Sequence, residues 1–214
     1  MMCSDLIDLK ETIRIFEEEG IEYLHIDMMD GSFVPNFGLG VDYIRGLRKL
    51  TNIPLDIHLM VKDPEYKFQW IGIQPTDSVS IHYESTFQVQ RALDYLVPYG
   101  CKRFLAINPA TPVSALEEVL DYIDGINLLM VNPGFAGQKI VPSTIKKAQK
   151  VANLLRQAGR EDIILEVDGN ITPENGRILR DIGASRFVAG TSSIFKGDLR
   201  DYYKNIIVFR KSIE

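Results

Sequence analysis

Cysteine is scarce: Cys3 and Cys101 are the only two, far apart and in no CxxC pattern. That excludes a disulfide framework and a cysteine zinc knuckle, and it makes a reducing cytoplasm the expected setting. No run of about 18 apolar residues occurs, so no membrane span is expected. The opening Met1-Met2-Cys3-Ser4-Asp5 leads into a charged amphipathic stretch without a basic and then an apolar segment, so no targeting signal is expected either. Positive charge is also in deficit, with 24 Lys and Arg against 29 Asp and Glu and a formal net charge of −5. A nucleic acid or an anionic membrane needs a basic field, so the expected partner is a small molecule. An anionic ligand would have to be held by local devices, backbone N–H groups at glycine turns and helix N-termini. A glycine fingerprint after the first strand is missing too, which argues against an open dinucleotide-binding sheet.

What the chain does have is rhythm. Short runs rich in Ile, Val, Leu and Phe at 23–27, 55–60, 78–82, 103–107, 126–131, 163–167 and 186–189 read as strands. Between them, amphipathic stretches at 5–19, 41–49, 64–71, 87–97, 113–120, 142–158 and 173–182 read as helices, several opening on proline or a capping residue. Strand–helix alternation means parallel strands with right-handed crossovers. With 214 residues, 45% of them hydrophobic, and no linker or composition shift, one domain over 1–214 is expected. The fold class is α/β, a (β/α)8 TIM-type barrel of parallel strands. A barrel needs eight strands, and the chain opens on a helix, so the first strand is expected to be lacking. A gap between the strands at 23 and 186 would leave two unpaired edges.

In a parallel barrel the strand ends form the catalytic face, and here they carry Asp30-Gly31 through Asn36, Asn108-Pro109, Asn132-Pro133-Gly134, Asp168-Gly169 and Gly190-Thr191. Three histidines are present, His25, His58 and His82, each at or near a strand end. His25 and Asp27 lie two residues apart on one strand face, and His58 stands on the next strand about 5 Å away. A closed barrel brings the distant Asp168 to the same centre. His25, Asp27, His58 and Asp168 thus form a mixed N/O set for one divalent metal ion, zinc, iron, manganese or cobalt. Two inward aspartates would also serve as an acid and a base. The plainer alternative is that both only turn the chain into the glycine loops that follow. Gly134, Phe135, Ala136 and Gly137, then Gly169 and Asn170, then Gly190 and Thr191 follow the last three strands, where barrels often bind phosphate, helped by a short helix N-terminus at 192–195. Met28, Met29, Met60 and Met130 lie near strand ends as adaptable packing, with Met29 and Met60 the two placed to line a pocket.

Six ordered motifs carry a resemblance: His25-Ile-Asp-Met-Met-Asp-Gly-Ser-Phe-Val-Pro-Asn36, Asp56-Ile-His-Leu-Met60, Asn108-Pro-Ala-Thr-Pro112, Val131-Asn-Pro-Gly-Phe-Ala-Gly-Gln138, Glu166-Val-Asp-Gly169 and Val188-Ala-Gly-Thr-Ser192. In order, spacing and type they resemble the ribulose-phosphate 3-epimerase family, from Met2 to Lys196. The resemblance implies metal-dependent inversion at C3 of a ketose phosphate, D-ribulose 5-phosphate to D-xylulose 5-phosphate, in pentose phosphate metabolism. It implies His25, Asp27, His58 and Asp168 as metal ligands, Asp27 and Asp168 as the two catalytic carboxylates, and His58 among the substrate contacts. Several residues depart from the pattern. A first-strand serine that binds substrate is missing, Asn170 replaces a second glycine, Thr191 replaces a serine, Ala136 replaces a glycine, and Leu129 stands where a methionine is usual. Met2-Cys3, Phe135-Ala136-Gly137 and Gly190-Thr191-Ser192 look like the related allulose-6-phosphate 3-epimerases, so the ketose is open between pentulose and hexulose. Whether the chain forms a homo-oligomer is also open. Asp56-Ile57-His58-Leu59-Met60 lacks the lysine of the Asp-x-Lys-x-x-Asp pattern found in hexulose-phosphate synthases and orotidine-phosphate decarboxylases, which speaks against a lyase. A non-catalytic sugar-phosphate binder is the remaining rival, and four intact metal-type residues speak against it.

Overall fold

A computed structural model describes every residue except Cys3, Asp5 and Leu6. Cys3 and the first two residues of the helix expected from position 5 therefore lie outside the described residues. The strands are β1 (Leu24–Met29), β2 (Leu55–Met60), β3 (Ser78–His82), β4 (Lys102–Ile107), β5 (Gly125–Leu129), β6 (Ile164–Asp168) and β7 (Arg186–Val188). They form one sheet in chain order, each parallel to the next. The helices are α1 (Leu9–Glu18) before β1, α2 (Val41–Leu47), α3 (Phe68–Ile71), α4 (Val89–Asp94), α5 (Ser143–Gln157), α6 (Pro173–Ile182) and α7 (Asp201–Ile213). No helix among the described residues is long and apolar enough to cross a membrane.

All seven expected strands are present, within two residues at each end. The helices differ more. The stretch at 64–71 splits into a 3₁₀ turn (Pro64–Tyr66) and α3, and the stretch expected as helix from 113 is a 3₁₀ helix, Val113–Tyr122. Periodicity marks a one-sided helical surface without distinguishing i→i+3 from i→i+4 hydrogen bonding. α7 was not expected; it packs chiefly against α6, burying Tyr202, Ile206 and Phe209.

The sheet is strongly curled. Laid flat at about 4.8 Å per strand, β1 and β6 would be roughly 24 Å apart. Instead, His25 Nε2 on β1 stands 3.7 Å from Asp168 Oδ2 on β6. Arg186 on β7 donates to Ser78 Oγ on β3 at 2.8 Å, and its guanidinium lies 4.0 Å from the ring centre of Tyr23, just before β1. Among the described residues β1 and β7 do not pair with each other. On the open side of β1 the Met1 ammonium donates to His25 O at 2.5 Å.

Alternation sorts the two faces of the sheet. Leu24, Ile26, Leu55, Ile57, Leu59, Val79, Ile81, Leu105, Ile126, Leu128, Leu165 and Val167 point to the helices and form the core. The residues between them point inward and are largely polar: His25, Asp27, Asp56, His58, Ser78, Ser80, His82, Asn127, Glu166 and Asp168. Phe104 is a large apolar exception, and it fits because its register partner is Gly125. A Cβ at Gly125 would lie 2.3 Å from the Phe104 ring, while Arg186 covers that ring from 4.8 Å. Overpacking of this kind costs about 1–3 kcal/mol. At roughly 2–4 °C per kcal/mol for a domain this size, Gly125→Ala lowers Tm by about 2–12 °C in a thermal melt, whereas the open-space change Gly46→Ala leaves it unlowered.

Candidate active site

The mouth of the curled sheet is built from its loops. Asp30, just beyond β1, accepts from Ser32 N, Phe33 N and Lys62 N at 2.9, 3.1 and 3.0 Å, joining the loop after β1 to the loop after β2. Burial opposes its ionisation, and these three N–H donors with Lys67 more than offset that and lower its pKa. Asn36 Nδ2 reaches Gly134 O at 2.7 Å, bracing that loop against the one after β5. Val34 is thereby tucked in against Met29 and Met60, making a small apolar roof beside the inner polar residues. Met29 and Met60 line the cavity as expected, while Met28 and Met130 belong to the core.

Beneath that roof the four expected residues meet. Asp27 Oδ1 stands 3.3 Å from His25 Nε2 and 3.2 Å from His58 Nδ1, and Asp168 Oδ2 stands 3.7 and 3.4 Å from the same two nitrogens. One ligand atom from each of the four lies within 4.8 Å of all the others. Four atoms arranged tetrahedrally at about 2.1 Å around a cation stand roughly 3.4 Å apart, close to these separations. His25 Nε2 is buried and makes no well-formed hydrogen bond, although carboxylate oxygens lie nearby. The residues therefore fit a divalent cation, and a set of two imidazoles and two carboxylates suits a transition metal or zinc.

The electrostatics agree. Burial pushes the pKa of His58 down, but Asp168 and Asp27 outweigh it and hold it up at about 9. Burial likewise disfavours charge on His25, and Asp27 and Asp56 reverse that and raise its pKa well above the usual value. Burial opposes ionisation of Asp27, yet His25 and His58 bring its pKa well below the ordinary carboxylate range. Positive charge is thus demanded at the point between the carboxylates, and without a cation it is met by protons on the imidazoles.

Several inner residues escaped the sequence reading. His25 Nδ1 meets Asp56 Oδ2 at 2.6 Å. Arg186 lies 3.6 Å from Asp56 and 3.5 Å from Glu166, so the second carboxylate cluster, His25 with Asp56 and Glu166, already contains a guanidinium. Burial and neighbouring Asp56 raise the pKa of Glu166 well above its usual value. His82 Nε2 stands 2.8 Å from His58 Nε2, and His82 Nδ1 stands 3.3 Å from Glu84 Oε2. Burial lowers the pKa of His82 to about 4, and hydrogen bonds from His82, Thr111 and Asn108 outweigh burial at Glu84 and lower its pKa to about 2. The available signal was parity: Asp56 and His58 share a strand face, as do Glu166 and Asp168, and as do Ser80 and His82.

Gly134, Phe135, Ala136, Gly137, Gly169, Asn170, Gly190 and Thr191 all line the same cavity, of about 690 Å³, as His25, Asp27, His58 and Asp168. Asn170 has φ +53°, in the left-handed region, where asparagine is among the few tolerated non-glycine residues. It gains a bond that glycine cannot make, Nδ2 to Ser192 Oγ at 3.0 Å, tying the loop after β6 to the loop after β7. At Gly169, φ +105°, a Cβ would stand 2.5 Å from Val131, so glycine is required. The helix N-terminus expected at 192–195 is instead a closed turn. Ser193 N, Ile194 N and Phe195 N fold back onto Gly190 O at 3.1, 2.9 and 3.2 Å, because no continuing run of i→i+4 bonds follows.

The chain is 33% identical over 198 residues to a ribulose-phosphate 3-epimerase of Bacillus subtilis (strain 168), covering 92% of this chain and 91% of the relative. It is 36% identical over 201 residues to the ribulose-phosphate 3-epimerase of Serratia marcescens, covering 94% and 95%. Among solved structures, a 3-hexulose-6-phosphate synthase superposes with a TM-score of 0.65 at 11% identity, covering 96% of this chain and 94% of that one. A phosphoribosyl anthranilate isomerase from Thermus thermophilus does so with 0.61 at 14% identity, covering 94% of each. Those two likenesses speak for the fold alone. The profile of the Ribulose-phosphate 3 epimerase family matches residues 1–195, and the chain belongs to that family.

Proposed function

We propose that this protein inverts the configuration at C3 of a ketose phosphate, interconverting D-ribulose 5-phosphate and D-xylulose 5-phosphate. The observation that carries the reading is the pair Asp27 and Asp168, brought from β1 and β6 to either side of two imidazoles in a cavity edged by glycine loops. The seven strands are then the second to eighth of a (β/α)8 TIM-type barrel lacking its first, forming one domain over 1–214; the curl and the parallel order support this.

A proton on C3 is weakly acidic because it lies next to the C2 carbonyl. One of the two carboxylates takes that proton, and the other delivers a proton to the opposite face of C3, so the configuration inverts. His25 and His58, with the aspartates, hold the cation, one of zinc, iron, manganese or cobalt. When bound, it supplies positive charge opposite the negative charge that develops on the substrate oxygens. Met29, Met60 and Val34 exclude water from the reacting carbon, and His58 borders the substrate. Backbone around Gly134, Phe135, Ala136, Gly137, Gly169, Asn170, Gly190 and Thr191 receives the phosphate.

Three outcomes test this. Metal-replete protein in deuterated water, given ribulose 5-phosphate and separately allulose 6-phosphate, incorporates deuterium at C3 of the pentulose with formation of xylulose 5-phosphate. Greater turnover of the hexulose would move the substrate assignment, and no exchange with either would reject an epimerase. Asp27→Asn and Asp168→Asn each lower turnover by about 10²–10⁴-fold while the fold persists by circular dichroism. Near-normal turnover in either variant would defeat the two-carboxylate mechanism.

The third concerns pH. His58 is protonated below about 9 in the metal-free protein, and His25 is also shifted upward, while a cation needs both neutral. Metal uptake at pH 7 therefore releases protons and tightens as pH rises toward 9, as calorimetry in two buffers of different ionisation enthalpy would register. Without metal the sign is opposite. The stability from the raised His58 pKa is fully present below 6.5 and is lost as pH rises through about 9.

A further inference from the structure

The metal reading accounts for His58 Nδ1 and leaves the rest of its ring unexplained. His58 is fully buried, and its other nitrogen does not face solvent or backbone but a second buried imidazole, with Nε2 to Nε2 of His82 at 2.8 Å. Of two ring nitrogens in contact, one must carry a hydrogen and the other a lone pair. The next link decides which. His82 Nδ1 stands 3.3 Å from Glu84 Oε2, and a carboxylate only accepts, so the hydrogen of His82 lies on Nδ1. His82 Nε2 is then a lone pair, and His58 Nε2 donates to it. Nδ1 of His58 faces Asp27 Oδ1 at 3.2 Å and Asp168 Oδ2 at 3.4 Å, and when a cation displaces the proton it carries there, the lone pair left is on Nδ1, aimed between the two carboxylates.

The far end of the chain is anchored. Glu84 Oε1 accepts from Asn108 N at 3.0 Å and from the Thr111 hydroxyl. Lys147 Nζ on α5 grips Asn108 O at 2.5 Å and so holds that loop from behind. Phe33, in the loop after β1, packs its ring 4.7 Å from the His82 ring. The hydrogen bonds from His58 to His82 and from His82 to Glu84 run in one direction, so both rings are fixed in orientation, and His58, once neutral, in tautomer.

We infer that His82 and Glu84 are positioning residues that set the tautomer of His58 and aim its Nδ1 lone pair at the metal position. The inference rests on the metal reading of the site above. Partners of this kind hold a metal-bound imidazole by its other nitrogen, and their loss costs about 10–100-fold in metal affinity.

The test is zinc affinity by chelator competition, with ¹⁵N spectra of the three histidine rings. Zinc-loaded unaltered protein shows His58 metallated at Nδ1 and protonated at Nε2. His82→Phe keeps an aromatic ring without an acceptor and binds zinc about 10–100-fold more weakly, whereas His82→Gln, whose amide oxygen accepts a hydrogen bond, recovers most of the loss. Unchanged affinity in a folded His82→Phe protein overturns the inference, and so does zinc on Nε2 of His58. The spectrum of the unaltered protein decides the second point even if the variant fails to fold. If the unaltered protein takes up no zinc, manganese, cobalt or iron, the metal reading itself falls, and the positioning role with it.

Discussion

Two carboxylates, Asp27 and Asp168, are held mostly buried within a few ångströms of the same two imidazole nitrogens. Burying like charges together is unfavourable unless positive charge lies between them. The rest of the inner surface answers that requirement. The curl of the sheet brings β6 to β1, the period of two puts His25 beside Asp27, and the β1–β2 register puts His58 opposite Asp27. Relax the curl and the two carboxylates separate; their mutual repulsion then ends, and so does any reason for a cation.

The same curled sheet holds a contrasting layer. One layer below, Asp56 and Glu166 also face each other, and there the chain supplies its own fixed cation, Arg186. A guanidinium stays charged at any pH the protein meets, so that layer has a fixed cation, and burial beside Asp56 raises the pKa of Glu166 so that the second carboxyl resists ionising. The upper layer has only titratable imidazoles. Its countercharge is exchangeable, which is what a site that binds metal and moves protons requires. Asp56 links the layers, because it faces Arg186 with one oxygen and His25 Nδ1 with the other.

The sequence conveyed the strands well because each is short and dense in branched apolar residues, and the alternation of Leu24, Ile26 and Met28 with His25 and Asp27 states which face is inside. His25, Asp27, His58 and Asp168 were legible for the same reason. The outer partners were not. His82 meets Glu84 two positions on, but Asp56, His82, Glu84 and Arg186 otherwise act through contacts between residues 20 to 130 positions apart, which only the register of neighbouring strands and the closure of the curl bring together. The helices were harder in a different way: in Val113–Tyr122 the apolar spacing is present but the hydrogen bonding is 3₁₀, and α7 announces its buried face only once α6 lies against it. Asn170 read as a departure from the glycine expected there, and its φ of +53° shows why asparagine serves.

That same residue bears on how the ends of the substrate are matched. In the mechanism proposed above Asp168 is one of the catalytic pair; Gly169 and Asn170 follow it immediately, and Asn170 is tied to Ser192 beyond the last strand. The carboxylate and the loops proposed to receive the phosphate therefore share one short piece of backbone, which couples their positions. In a pentulose 5-phosphate two carbons separate C3 from the phosphate oxygen, and in a hexulose 6-phosphate three do. With the distance between chemistry and grip fixed by the chain, the extra carbon has to be absorbed by bending the substrate or by opening the loop braced by Asn36 and Gly134. Under the proposed function, discrimination between the two ketoses falls to those two braces rather than to His25, Asp27, His58 and Asp168, which meet the same reacting end in either sugar.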